Sequence, residues 1–491
     1  MSDGIAERAG SAVAWKGIQL VAGQAISLLR LLILARLLFP EDFGLLAIGL
    51  TTVNTILALT DVGMLPALVQ HAQPEERHYD VAWTVGVGRA AVITILIILA
   101  APWIAAIYQE PDAAPIIQVL SLKPLLEALA SIKIARLTRQ LQFRSLALLG
   151  IAQASLDMVL SIILAPLLGV WALVAGVLAG AVAYLAISYF AAPHRPRLAI
   201  DRKLARPLVG YGRWVFVSGV VAVSGSSVLQ VIISRQLGAA GLGLYYLVVR
   251  LAFLFNEVAT KVIGAVAFPL YARLQSSPEQ GAEAFRAILT GMTVLLLPAY
   301  GLLIALAPLL EQTVLGARWA GASPVIQVLA LAGLVGVFGD VVAPLLNGTG
   351  RPDKVAVLEF IQSVLIILSA WILISRYGLT GAAMAWLLAL AASQLLAAHY
   401  VLQLLHKPFS GMGRVLAATS LVTLAAAAAA LKAGNLLPGI IGLMIAVAVA
   451  GIVVGGGLLA LDRLLKLNLV ADLIRVFPQV HFLLRLLPSL P

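Results

Sequence analysis

The sequence contains no cysteine and little charge. The absence of cysteine among its 491 residues excludes disulfide bonds, thiolate nucleophiles and cysteine-based metal sites. The six histidines are scattered without metal-ligand spacing, and no Gly-rich phosphate loop ending in Lys-Ser or Lys-Thr occurs. We therefore expect no metal, no cofactor and no ATP-driven step. Only 11% of the residues are charged, whereas a soluble domain carries about a quarter.

Aliphatic residues take the place of the missing charge. Hydrophobic residues make up 62% of the chain, and its mean hydropathy is +1.03. A soluble core of this size cannot hide so much apolar surface, so the excess must face lipid. The net charge of +11 is then best interpreted as basic loops that orient a membrane protein rather than as a nucleic-acid interface.

The hydrophobic runs predict an all-α integral membrane protein with about fourteen spanning helices, each of about 20 residues or more. Helices are expected because lipid cannot hydrogen-bond an open backbone, and the runs lack the alternation of barrel strands. The predicted spans are 12–38, 43–68, 81–107, 115–136, 146–168, 171–190, 208–237, 243–270, 285–308, 323–346, 355–375, 379–404, 415–432 and 437–461.

Basic residues concentrate in alternate loops, which predicts a multi-pass protein with both termini in the cytoplasm of a bacterial cell and no cleaved signal. The longest connection is rich in Arg and Pro and is expected to separate two halves. The predicted organisation is an N-terminal six-helix lobe (1–190), a cytoplasmic linker (191–207), a C-terminal six-helix lobe (208–404), an extra helix pair (405–465) and an amphipathic tail on the inner membrane surface (466–491).

The two halves resemble each other. Residues 33–36 (Ile-Leu-Ala-Arg) lead to Phe-Gly-Leu at 43–45, and about 199 residues later Ile-Ile-Ser-Arg leads to Leu-Gly-Leu. Leu-Gly-Val-Trp at 168–171 is likewise followed about 209 residues later by Tyr-Gly-Leu-Thr. Because each unit has an even number of helices, the repeat is parallel. Parallel repeats are typical of secondary transporters, in which the substrate site lies between the halves.

Residues 36–45 (Arg-Leu-Leu-Phe-Pro-Glu-Asp-Phe-Gly-Leu) resemble the opening of the polysaccharide transporter family. Residues 139–144, 169–173 and 348–352 extend the resemblance along the chain. This family belongs to the superfamily of multidrug, oligosaccharidyl-lipid and polysaccharide exporters. The resemblance implies two six-helix lobes around a central cavity, and flipping of undecaprenyl-pyrophosphate-linked oligosaccharides across the inner membrane for O-antigen, capsule or exopolysaccharide synthesis. A polysaccharide polymerase and a chain-length regulator are candidate partners.

Charged residues inside spans are costly and therefore point to function. Arginine offers a planar set of donors that matches phosphate oxygens, so a cationic cavity would suit a pyrophosphate. The candidate substrate-binding residues are Arg30, Arg89, Arg213, Arg250 and Lys261, and the candidates for coupling to H+ or Na+ are Asp61, Asp157, Glu257 and Asp340. Each has an alternative role: an acid can pair with an arginine to permit insertion, and Glu257 and Lys261 can neutralise each other on one helix face.

Two other functions remain open at this stage. A drug or cation antiporter of the same superfamily would share the fold, but its substrates favour an acidic cavity. A membrane polysaccharide polymerase or glycosyltransferase would need positioned acid–base groups, usually on a sizeable loop. The predicted outer loops are only about four to fifteen residues long, and no paired carboxylates lie at a membrane face. We therefore expect a transporter and not an enzyme.

Overall fold

The structure is a computed structural model that describes residues 2–60, 68, 75–140, 142–199, 201, 212–275 and 277–465. Side chains are described in these ranges except at 2–14, 212–224, 261–262, 265–266, 269, 461 and 464–465. Nearly all of the described chain is helical, and it contains no strand. Eleven of its helices are long and apolar enough to cross a membrane. The all-α membrane class is therefore confirmed, while the count of fourteen spans stays a prediction.

The chain packs as two compact units, residues 1–247 and 248–491. The helices that begin in the first unit are α1 (Ser2–Leu37), α2 (Pro40–Thr60), α3 (Glu76–Tyr108), α4 (Ala113–Leu120), α5 (Leu122–Ala128), α6 (Ile134–Arg139), α7 (Phe143–Leu168), α8 (Val170–Ala191) and α9 (Gly212–Ala252). Helix α7 packs against both α1 and α8, and α3 packs against α4 and α5. The predicted lobes are defined by the sequence repeat and not by packing. The two compact units therefore do not test the lobe boundaries, which stay a prediction.

The second unit contains α10 (Leu254–Arg273), α11 (Pro278–Leu310), α12 (Ala322–Gly348), α13 (Pro352–Leu404), α14 (Met412–Gly434) and α15 (Gly439–Leu465). Its core forms where α11 packs against α12 and α14, around the buried side chains of Phe285 and Tyr300. A π-helical turn at Glu311–Leu315 and a short 3-10 turn connect α11 to α12. The predicted amphipathic tail, 466–491, lies outside the described residues.

The predicted span 115–136 is wrong as a single helix, because the chain forms the three short helices α4, α5 and α6 there. Pro124 lacks an N–H group, so the carbonyl of Leu120 loses its donor in the next turn. The Thr94 hydroxyl donates to the carbonyl of Ser121 at this break, at 2.8 Å. Tyr189 donates to the carbonyl of Leu129 at the next break, at 2.9 Å. Side chains of neighbouring helices thus satisfy the backbone groups that the breaks release.

Positive φ angles mark the boundary between adjacent spans in both halves. Gly169 has φ 55° and ψ −129°, and Gly378 has φ 57° and ψ −139°, so the repeated Gly adopts nearly the same backbone conformation twice. A side chain rarely tolerates this region, which explains glycine at both positions. Gly238, with φ 70°, interrupts α9 in the same manner, and a turn at Phe253 then separates α9 from α10 within the predicted span 243–270.

Large apolar side chains cover the outer faces of the helices. Trp103 is 70% exposed, Leu167 79% and Ile452 75%, which no soluble protein would tolerate across so many helices. By contrast, small residues line the contact between α7 and α8. A Cβ atom on Gly176 would lie 2.7 Å from the carbonyl oxygen of Asp157, so these two helices approach at backbone distance. Packing within the bundle thus depends on small residues, whereas the bulky aliphatic ones face outward.

Candidate functional site

Arg30 lies in an ion pair. Its Nη2 atom is 2.9 Å from Oδ1 of Asp157, and the two side chains are only 18% and 23% exposed. Its Nε and Nη2 groups also donate to the Ser161 hydroxyl at 3.4 and 3.2 Å, and that hydroxyl donates to Asp157 at 3.1 Å. The structure therefore joins one candidate for substrate binding with one candidate for coupling. Their opposite charges offset each other between α1 and α7.

Glycine on α8 makes room for this pair. A Cβ atom on Gly176 would lie 2.6 Å from Oδ1 of Asp157, the oxygen that Arg30 contacts. Alanine there would force the carboxylate or the helix to move. The contacts of Arg30 within the described part of the chain use Nε and Nη2, so its Nη1 group keeps its donor capacity. Arg30 is thus held in position and has donors left for a further anion.

Arg89 contacts the end of a neighbouring helix. Its Nη1 group donates to the carbonyl of Thr60, the last residue of α2, at 2.6 Å. The last carbonyls of a helix lack donors and carry partial negative charge, so a guanidinium stabilises them. Asp61, the candidate that follows Thr60, lies outside the described residues. Arg89 therefore has a structural role in this arrangement, in addition to any contact with a substrate.

Arg250 and Glu257 form a looser pair. They lie on either side of the turn that separates α9 from α10, with Nη1 of Arg250 3.4 Å from Oε1 of Glu257. Their side chains are 51% and 39% exposed, so this pair is weaker than that of Arg30 and more open to exchange with another anion. The side chains of Arg213 and Lys261 lie outside the described residues, and their assignment to substrate binding stays a prediction.

Asp340 has neutral polar neighbours. The amide nitrogen of Asn256 donates to Oδ2 of Asp340 at 2.6 Å, and the hydroxyl of Thr260 donates to the backbone carbonyl of Asn256 at 2.7 Å. The Tyr300 hydroxyl donates in turn to the amide oxygen of Asn256. No ion pair joins Asp340 to a cation among the described residues. Of the described coupling candidates, Asp157 and Glu257 face arginines, and Asp340 alone has only neutral partners.

Several functional candidates carry no charge, so the search for charged residues in spans missed them. Ser161 lies one turn after Asp157, whereas Asn256 lies 84 residues from the Asp340 that it contacts. A polar residue one turn from an intramembrane charge is a usable signal for a partner such as Ser161, but not for Asn256. The candidates fall in both compact units, and whether they line one cavity stays a prediction.

The repeated Gly-Leu motifs meet within the first unit. A Cβ atom on Gly44 would clash with the carbonyl of Ala239, and one on Gly243 would clash with the carbonyl of Pro40. Two polar contacts continue this contact along the helices: Thr51 to Gln230 at 2.6 Å and Thr55 to Ser227 at 3.0 Å. The equivalent turns of the predicted repeat therefore contact each other.

Comparison with solved structures identifies the class of fold. The lipid II flippase MurJ in an inward closed conformation aligns with 92% of this chain and 100% of its own, with a TM-score of 0.74 and 14% identity. An inward-facing multidrug resistance MATE family transporter of the MOP superfamily aligns with 79% of this chain and 97% of its own, with a TM-score of 0.63 and 15% identity. The fold is therefore the one shared by these membrane transporters.

Sequence comparison then identifies the family. The sequence model of the family described as "Polysaccharide biosynthesis protein" matches residues 33–324, more than half of the chain, and the chain belongs to this family. The succinoglycan biosynthesis transport protein ExoT of Rhizobium meliloti is 28% identical over 342 residues, 69% of each chain. The lipopolysaccharide biosynthesis protein WzxC of Escherichia coli is 23% identical over 350 residues, 71% of each chain. The resemblance found in residues 36–45 is thus confirmed.

Proposed function

We propose that this protein flips lipid-linked oligosaccharide repeat units, carried on undecaprenyl pyrophosphate, from the cytoplasmic to the periplasmic leaflet of a bacterial inner membrane. The observation that carries the proposal is the family match over residues 33–324, together with relatives named for transport of succinoglycan and for lipopolysaccharide synthesis. The fold shared with a lipid II flippase supports it, because that protein moves a lipid-linked sugar. Both termini then lie in the cytoplasm, and the product passes to a polysaccharide polymerase.

The arginines inside the helices suit the pyrophosphate. Arg250 is half exposed, and its long contact with Glu257 leaves it able to exchange a carboxylate for a phosphate oxygen. Arg30 is held by Asp157 and Ser161 and keeps Nη1 for a further acceptor. In the proposed mechanism two lobes alternate access to a cavity, these guanidiniums hold the charged headgroup, and the polyprenyl tail stays in lipid. The protein moves its substrate without making or breaking covalent bonds.

Coupling to an ion gradient is assigned to Asp340. An intramembrane carboxylate with neutral partners can gain and lose H+ or Na+ without breaking an ion pair, whereas Asp157 and Glu257 would have to leave an arginine. The mechanism therefore separates two roles: arginines hold the headgroup, and Asp340 binds the driving ion.

The experiment is flipping of a fluorescent undecaprenyl-pyrophosphate oligosaccharide in proteoliposomes. We compare the wild type with Arg250→Ala and with the matched variant Arg376→Ala, whose exposed arginine ends the first segment of α13. The wild type and Arg376→Ala should flip, and Arg250→Ala should lose most of its rate while remaining folded. If the wild type instead exports cationic dyes and leaves the lipid in place, the drug-antiporter function replaces the proposal.

A further inference from the structure

A polar cavity of about 630 Å³ lies in the first unit, and its lining includes none of the charged residues assigned above. It forms where the N-terminus of α3 meets the turn before α6 and the chain that follows α8. Its lining consists of Glu76, Asp80, Lys133, Tyr189, Pro193, His194, Arg195 and Arg197. The predicted orientation places these residues at the cytoplasmic membrane face.

The frame of this cavity is fixed by hydrogen bonds to α3. Oδ1 of Asp80 lies 3.1 Å from Nε2 of His194 and accepts the backbone N–H of Arg197 at 3.2 Å. Lys133, in the turn before α6, forms an ion pair of 2.7 Å with Glu76, which lies on α3 like Asp80. The chain after α8 is therefore held against α3 by its backbone and by His194. The guanidiniums of Arg195 and Arg197 take no part in this frame.

The frame leaves donors and an orphaned nitrogen without partners. Arg195 and Arg197 are exposed, and neither guanidinium contacts a carboxylate of the described chain. The His194 side chain is only 2% exposed, and its Nδ1 atom is buried without a hydrogen-bond partner among the described residues. This buried nitrogen is not accessible to a ligand in the cavity, so His194 belongs to the frame. The two guanidiniums match the oxygens of a phosphate.

Exposed apolar residues flank the lining segment 193–197 in the sequence. Phe190 is 85% exposed and lies four residues before His194, and Leu198 is 84% exposed and follows Arg197. Tyr189 in the lining and Trp83, about two turns into α3, both donate to the carbonyl of Leu129, at 2.9 and 3.4 Å. Aromatic rings beside basic residues are typical of the membrane–water interface. A ligand with both a phosphate and acyl chains fits this surface better than a soluble anion.

We propose that this cavity binds the headgroup of an anionic phospholipid of the inner leaflet, with Arg195 and Arg197 on its phosphate. The bound lipid would hold the chain between α8 and α9 at the membrane face. This site is separate from the substrate residues, and the proposal does not depend on the flippase function.

The test is ligand-induced stabilisation of the full chain in a neutral detergent, followed by tryptophan fluorescence during thermal unfolding. The probes are dioctanoyl phosphatidylglycerol, dioctanoyl phosphatidylcholine and sodium phosphate. The variant R195Q/R197Q removes both guanidiniums, and R351Q removes an exposed arginine of the second unit as a matched control. Phosphatidylglycerol should stabilise the wild type and R351Q at low concentration. R195Q/R197Q should need at least about ten times as much lipid for the same stabilisation, because each interfacial basic residue contributes to anionic-lipid binding.

Three results would overturn the proposal. Equal stabilisation of R195Q/R197Q and the wild type would place the lipid elsewhere. Equal stabilisation by phosphatidylcholine would mean that the acyl chains, and not the charge, are recognised. Stabilisation by sodium phosphate at the same concentration as the lipid would assign the cavity to a soluble anion. Both variants change exposed side chains, and the hydrogen bond from Arg197 to Asp80 uses the backbone, so we expect both to fold.

Discussion

A Cβ atom on Gly243 would lie 2.7 Å from the backbone nitrogen of Gly44, so the two glycines bring their helices together at backbone distance. The same glycines occupy equivalent positions in the predicted repeat. Their contacts are also reciprocal: Gly44 lies against Ala239 and Gly243 lies against Pro40, and these partners are again equivalent. The two copies of the motif therefore pack against each other as a near-symmetric pair, and neither can accept a side chain without separating.

Gly243→Ala should therefore destabilise the first unit. Its new methyl group would meet the carbonyl of Pro40 and the nitrogen of Gly44, and overpacking of this kind costs about 1–3 kcal/mol. Thermal unfolding in detergent measures the loss. The matched control is Gly88→Ala on α3, where the space around the glycine is open. Since alanine favours a helix by about 0.5–1 kcal/mol over glycine, this control should be neutral or stabilising. Equal unfolding temperatures for the two variants would contradict the close contact.

The second prediction separates two roles of Arg30. Arg30→Ala or Asp157→Ala alone leaves one charge without its partner and should cost about 1–3 kcal/mol, less than a fully buried pair because both side chains are partly exposed. The double variant should recover much of that loss, which a double-mutant cycle of unfolding free energies measures.

Flipping by the double variant then decides the function of Arg30. If the arginine contacts the pyrophosphate, the folded double variant should still fail to flip. A double variant that flips at the wild-type rate would assign Arg30 to pairing with Asp157 and remove it from the substrate site.

The third prediction concerns Asp340. Asp340→Asn keeps the size of the side chain and its contact with Asn256, but it cannot release a proton or balance a cation. The rate of flipping in a pH or Na+ gradient should fall to about the rate measured without a gradient. Glu359→Gln, which changes a half-buried acid on α13, is the control and should retain the stimulation. Coupling that survives in Asp340→Asn and disappears in the control would move the ion site to Glu359.

The fourth prediction concerns the connection between α11 and α12. The carboxylate of Glu311 accepts the backbone N–H of Gly321 at 3.2 Å and that of Ser323 in the first turn of α12. Glu311→Ala leaves these donors unsatisfied and should cost about 1–2 kcal/mol of unfolding free energy. Glu283→Ala, an exposed acid on α11, should change stability by a few tenths. A loss no larger than that of Glu283→Ala would show that Glu311 does not cap α12.

The membrane class, the family and the turns at Gly169 and Gly378 could be predicted from the sequence because each depends on local composition or on one conformationally demanding residue. The break in the predicted span 115–136 could not, since its apolar composition hides the effect of Pro124. The charged candidates were found by residue type, but Arg30 and Asp157 are 127 residues apart in sequence, and only the packing of α1 on α7 brings them together. Asn256, the neutral partner of Asp340, was missed because it carries no charge and lies 84 residues away in the sequence.

The broken segment of α4, α5 and α6 also bears on how the chain is made. The side chains that hydrogen-bond to its backbone come from both sides of it in the sequence. Thr94 and Trp83 precede it and are synthesised earlier, whereas Ser188 and Tyr189 follow 57 and 60 residues after the backbone groups that they contact. We therefore expect this segment to settle in lipid only after most of α8 has been synthesised. In a nascent chain arrested before Ser188, membrane proteases should cleave within residues 129–139. After the arrest is released, this segment should be protected from cleavage. With that result, the first unit would assemble in the order of its hydrogen-bond partners rather than in the order of its helices.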